Sequence, residues 1–107
     1  MPLFIAVHKY EPQDEIAIWK EVVAGFTAMQ AGKIPQGVKL CAIYETGAQR
    51  AFCVWEAPSK EALEEGFEKL MPTLKKYTEF VPVAQSYPPT MEYVLGLWQE
   101  FIKAASK

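Results

Sequence analysis

The stretch Gly37–Glu56, GVKLCAIYETGAQRAFCVWE, restricts the folds open to this chain more than any other. Two apolar, strand-forming runs flank the turn signal Thr46-Gly47-Ala48, which is the pattern of a β-hairpin. Each run carries large apolar side chains at both odd and even positions. A sheet with one face in water alternates instead, so this hairpin is expected in a sheet covered on both sides. A loop centred on Gly47 sets Cys41 directly opposite Cys53, whereas the tightest hairpin turn makes the pair diagonal and facing opposite ways.

The rest of the chain supplies partners for the hairpin. Leu3–Tyr10 reads as a strand, with Leu3, Ile5 and Val7 on one face and Phe4, Ala6, His8 and Tyr10 on the other. The first set is purely aliphatic and is expected against helices. The second mixes aromatics with the chain's only histidine. Gln13–Ala31 reads as a helix: Ile16, Trp19, Val23 and Phe26 recur at helical spacing, and Ile18, Val22 and Met29 widen the stripe. Trp19 is read as a core residue. Asp14 and Glu15 favour the positive end of the helix, and Gly32 is its expected stop. Val38–Glu45 and Gln49–Glu56 are the hairpin strands. Ser59 is the expected N-cap of a second helix with the stripe Leu63, Phe67, Leu70 and Leu74. Pro72 has no amide hydrogen and is expected to break that helix near Met71, with a further turn through Lys76. Thr78–Tyr87 reads as a fourth strand, and Pro82 demands that it be an edge or carry a bulge. After Pro88-Pro89, Thr90 is expected to cap an amphipathic helix over Met91–Ala105, with Met91, Val94, Trp98 and Phe101 on one side.

Length and charge remove several function classes. A chain of 107 residues has room for one ordinary domain, residues 1–107. The net charge is −2, with Lys and Arg scattered among Asp and Glu, so no basic stripe suits nucleic acid. No apolar run approaches the ~20 residues of a membrane span. The start, MPLFIAVHKY, lacks a basic region and cleavage site, so a soluble cytoplasmic protein with free thiols is expected. There is no closely spaced His or Cys pair and no glycine-rich phosphate loop, so neither a metal site nor a cofactor is implied.

The order β-α-β-β-α-β is the ferredoxin-like order of the α+β class. Right-handed crossovers put both helices on one face of an antiparallel sheet. The other face is expected to carry Phe4, His8, Ile43 and Trp55, and to be covered by the C-terminal helix or by a second copy. The opening strand LFIAVHKY, the segment IPQGVKLCAIYETGAQRAFCVWEAPSKEAL and the strand FVPVAQSY resemble the dimeric α/β-barrel superfamily. They are most similar to a small uncharacterised family within it, a domain of unknown function. The resemblance covers residues 2–88, with the helix over 90–105 an addition to the common core. It implies a homodimer whose two sheets face each other. It also implies a place among cofactor-independent monooxygenases, cyclases, haem-degrading enzymes and stress-response proteins. Those proteins share no catalytic motif that transfers onto these residues, so function by fold alone is analogy.

His8 is the candidate catalytic residue, because its side chain titrates near neutrality and sits among aromatics. The alternative is a hydrogen-bonded structural histidine. Cys53 forms a thiol–imidazole pair with His8 if the two are neighbours across strands; otherwise it is a small buried hydrophobe. A dimer that brings two copies of His8 together with Glu45 or Glu56 would offer a metal site. Tyr10, Tyr44, Trp55 and Trp98 are the candidate ligand-binding residues, lining a pocket for a flat apolar or aromatic ligand. The first reading is therefore a small-molecule-binding homodimer, or a cofactor-independent enzyme of monooxygenase or cyclase type. The alternatives are a non-enzymatic homodimerisation or stress-response module and a metal or haem carrier. A pure interface is expected to avoid a histidine at its apolar centre, which favours the first.

Overall fold

A computed structural model describes residues 2–106. The elements are β1 (Leu3–Lys9), a 3-10 turn (Pro12–Asp14), α1 (Glu15–Gln30), β2 (Lys39–Glu45), β3 (Arg50–Glu56), α2 (Lys60–Leu70), α3 (Pro72–Lys75), β4 (Thr78–Val83) and α4 (Met91–Ala105). The strands form one four-stranded sheet in the order β2-β3-β1-β4, and every pairing is antiparallel. β4 lies at an edge, where Pro82 removes no ladder bond that a further strand would need.

Residues directly opposite in neighbouring strands share a face. Phe4 pairs with Trp55 and Pro82, Ala6 with Cys53 and Phe80, and His8 with Ala51 and Thr78. This is the face that the helices cover: Phe4, Ala6, His8, Cys53, Trp55 and Phe80 are buried, together with Ile18 of α1, Leu63 and Phe67 of α2, and Leu74 of α3. Phe67 is the keystone. Its ring meets Trp55 at 5.5 Å and Phe80 at 5.0 Å between centroids, both edge to face, the arrangement that ring quadrupoles favour.

The expectation that Leu3, Ile5 and Val7 face the helices is thus overturned. Phe4, His8, Ile43 and Trp55 do lie on the same face, but it is the covered one. The aromatic set offers more apolar area to bury than the aliphatic set, roughly 150–250 Å² per large ring, and the helices pack where that area lies. The open face carries Ile5 between Val54 and Val81, and Val7 beside Phe52. These side chains are only half-buried.

The hairpin also departs from expectation. Glu45 is the last β2 residue paired, opposite Ala51, and the Thr46 N–H donates to the Arg50 carbonyl at 3.2 Å. The turn is therefore centred on Ala48 rather than Gly47, and its last residue Gln49 holds a left-handed φ of 52°. That register sets Cys53 opposite Ile43, and a further shift between Leu40 and Ala42 places Cys41 at a bulge. Both thiols are free, Cys41 exposed and Cys53 buried.

Local signals elsewhere act as read. Gly32, at φ 87°, ends α1 in a Schellman motif: the Lys33 N–H donates to the Ala28 carbonyl and the Gly32 N–H to that of Met29, each at 3.0 Å. Ser59 Oγ accepts from the Ala62 N–H at 3.1 Å, and Thr90 Oγ1 from the Tyr93 N–H at 3.2 Å. α2 stops at Met71, and Pro72 begins the short α3. The Glu21 carboxylate of α1 caps α3 from outside, accepting from the Thr73 and Leu74 N–H groups at 3.1 and 2.9 Å. The fourth strand is shorter than the sequence suggests, ending at Val83.

α4 stands apart from this core. It buries none of its residues, and Met91, Tyr93, Leu95, Trp98, Phe101 and Ile102 are all exposed. The molecule is correspondingly long, 50 × 31 × 22 Å.

Candidate functional site

His8 is 2% exposed, the one polar side chain in the buried core of the described residues. Strand alternation puts it on the covered face, two positions beyond Ala6. Its Nδ1 lies 2.6 Å from Thr78 Oγ1 on β4. The Thr78 hydroxyl donates to the Leu74 carbonyl at 2.8 Å. The imidazole stacks on Phe67, with centroids 5.8 Å apart. Among the described residues, no protein group bonds Nε2. Burial pushes the imidazole pKa down to about 4, because a cation here would lose its hydration without gaining a partner.

His8 lines a cavity of about 400 Å³ between the sheet and α1, within the size range of small-molecule sites. The wall is mostly apolar, with Ile18, Val22 and Phe26 from α1, Ile43 and Ala51 from the hairpin, and Leu74. Glu45 is the only charged residue on that wall. Tyr10 and Trp19 stand at the mouth, where the Trp19 indole N–H donates to the Tyr10 hydroxyl at 3.3 Å. Both also line an adjoining outer recess of about 250 Å³, whose wall adds Glu15, Gln49 and Arg50. The mouth is braced by the hairpin tip: Gln49 accepts the Tyr10 N–H on its carbonyl at 3.0 Å and donates its side-chain amide to Glu15 at 2.8 Å. A non-glycine residue held at positive φ beside a cavity is the kind of strain that a scaffold must enforce.

Of the candidate catalytic and ligand-binding residues, the structure brings His8 and Tyr10 together on this wall, with Glu45 and Cys53 beside them, and separates Tyr44, Trp55 and Trp98. Trp55 lies in the core behind Phe67 and faces a cleft of only about 10 Å³. Tyr44 pairs with Phe52 on the open face and is exposed. Trp98 packs edge-to-face on Phe101 out on α4. Trp19, read as a core residue, is instead half exposed at the cavity mouth, because α1 turns Ile18, Gly25 and Met29 inward rather than Ile16, Trp19 and Val23. Ile16 to Val23 and Ile18 to Gly25 are equally good helical stripes, and spacing alone does not choose between them.

Cys53 lines the same cavity as His8. Burial, reinforced by the Glu45 carboxylate, pushes its thiol up to about 12. With the imidazole pushed down and the thiol pushed up, both groups are held neutral, the reverse of a thiolate–imidazolium pair. Among the described residues, no group of three or more His, Cys, Asp and Glu side chains is placed to hold a metal ion. No described helix is long and apolar enough to cross a membrane.

Compared with known protein families and with curated proteins, the chain matches none.

Proposed function

We propose that this chain is a ferredoxin-like small-molecule-binding domain of the dimeric α/β-barrel type, holding a flat, largely apolar ligand in the His8 cavity. The observation that carries the reading is a mostly apolar chamber of ligand size, between the sheet and α1, whose lining includes the buried His8 and, at its mouth, the Tyr10 hydroxyl. Binding comes ahead of turnover in this reading. A histidine with a pKa near 4 is a weak base, and general-base catalysis is most efficient when the base titrates near the working pH. Cofactor-independent enzyme chemistry of the monooxygenase or cyclase kind therefore needs the bound ligand to raise that value.

The homodimer is supported by a different observation. The open sheet face is only half-buried and the apolar side chains of α4 are exposed, and contiguous apolar surface of this kind marks an interaction site. In this arrangement Tyr44 and Trp98 face the partner rather than the ligand.

Native mass spectrometry of the purified protein tests both parts. The expected spectrum shows twice the chain mass and a retained small molecule. In Ala51→Leu, where the new side chain projects into the cavity opposite His8, the dimer persists and the small molecule is lost. A ligand retained equally by that variant shows that the site lies elsewhere.

A further inference from the structure

One row of residues runs across the covered face of the sheet. Glu45 of β2 lies opposite Ala51 of β3, Ala51 opposite His8 of β1, and His8 opposite Thr78 of β4. The row ends in a carboxylate on the edge strand β2. Glu45 lines both the inner cavity and the outer recess, as do Tyr10, Trp19 and Ala51. These residues form the throat between the two spaces: an acid, two aromatic side chains and a small one.

The throat has a sign. On the inner wall burial holds His8 and Cys53 neutral, which leaves Glu45 as the one charge there. Among the described residues, no lysine or arginine forms an ion pair with it. Its field reaches into the cavity, because the carboxylate adds to burial in raising the Cys53 thiol. The outer recess adds Glu15 and Arg50, an acid and a base that offset each other, so the two spaces together stay acidic. Apolar walls strengthen such a field. It opposes an entering anion and favours a cation, and the faces of tryptophan and tyrosine rings favour a cation as well. This is a preference for charge and not for hydrogen bonding. The neutral Tyr10 hydroxyl and Cys53 thiol serve donors and acceptors alike and leave it unchanged.

We infer that the ligand of this cavity is an organic cation, with its flat apolar body in the inner chamber and an ammonium group in the throat beside Glu45, Tyr10 and Trp19. The assignment rests on the reading of the cavity as the ligand site.

Three probes share one ring and differ in charge: phenyltrimethylammonium, tert-butylbenzene and benzenesulfonate. The trimethylammonium and tert-butyl groups have the same shape, and neither carries an N–H or O–H. Each is titrated into the full chain at neutral pH and low salt and followed by NMR. The ammonium is expected to bind at least about tenfold more tightly than its neutral twin, from the carboxylate and the rings together, with the sulfonate weakest. Glu45 is exposed at the end of β2, so Glu45→Gln leaves the buried core intact. In that variant the advantage is expected to fall by about threefold or more. An advantage unchanged there overturns the placement at Glu45. Ammonium binding that survives in Ala51→Leu puts the cation outside this cavity and overturns the assignment as well. Equal binding of the ammonium and its neutral twin, or tighter binding of the sulfonate, overturns the charge inference and leaves the cavity reading intact. Binding of none of the three overturns the cavity reading itself.

Discussion

At the scale of single residues, the fold turns His8 from a pH-sensitive side chain into a group that stays neutral. Its folded pKa is near 4 against an ordinary value of 6.5. Above pH 6.5 neither the folded nor the unfolded chain protonates it, and its contribution to stability is fully present. As pH falls from 6.5 toward 4, the unfolded chain takes up a proton that the folded one refuses, so stability declines. The loss totals about 3 kcal/mol across that window. Urea unfolding of the protein and of His8→Gln, measured at pH 7 and again near pH 4, isolates this contribution from the carboxylates that titrate alongside. The difference between the two proteins should shift by about that amount toward the variant as pH falls. A pH-independent difference would show that His8 is solvated, and a shift in the opposite direction that it is ion-paired. Sequence parity was enough to group His8 with Phe4, Ile43 and Trp55. It could not tell which side of the sheet that group faces, because both faces of β1 are apolar. The unused Nε2 was also beyond it, because Thr78 lies across the sheet and its bond to Leu74 depends on where α3 ends.

At the scale of elements, helix contacts are set as much by missing side chains as by large ones. Gly25 lies mid-α1, where glycine costs about 1 kcal/mol relative to alanine, so propensity alone recommends replacing it. A Cβ there would stand 2.9 Å from Met71 Cγ and 3.3 Å from the Leu70 carbonyl oxygen. Met71 is itself buried at the junction of α2 and α3, with little room to yield. Gly25→Ala is therefore expected to destabilise the domain by about 1–3 kcal/mol, the usual cost of overpacking. Gly96→Ala in α4 meets nothing within 4 Å and should leave the same denaturant midpoint unchanged or slightly raised. Equal effects at the two sites would show that α1 does not press on Met71 as described. Caps and breakers such as Ser59, Gly32 and Pro72 were legible in the sequence because their chemistry is local. The contact of Gly25 with Met71, the α3 cap by Glu21 and the bulge at Cys41 were not, since each depends on a neighbour distant in the chain.

At the scale of the whole molecule, shape argues for assembly. The radius of gyration is 16.5 Å, against about 13 Å for a compact chain of this length. The excess comes with α4, which has a complete apolar stripe and no buried residue. A helix caps and persists in this form when its apolar side is taken up by something, and most helical stability in proteins comes from such packing. The open face of the sheet offers a second uncovered surface, with Ile5, Val54 and Val81 at its centre. Together with the α4 stripe it is the surface a second copy would cover, and stable interfaces bury about 1,200–2,000 Å² in total. Two variants divide the contributions. Tyr44→Lys puts a charge on the open face at an exposed edge position, where the isolated fold can accept it. Deletion of residues 90–107 removes α4 without touching the buried core. Light scattering should give twice the chain mass for the unaltered protein and weaker self-association for each variant, by roughly tenfold or more for a lost apolar contact of this kind. Denaturant midpoints extrapolated to low protein concentration should stay close to that of the unaltered chain, because neither change opens the layer between helices and sheet. If the truncated protein associates as tightly as the full chain, α4 is not part of the interface. Its stripe must then be covered by a different partner, and the dimer would rest on the sheet face alone.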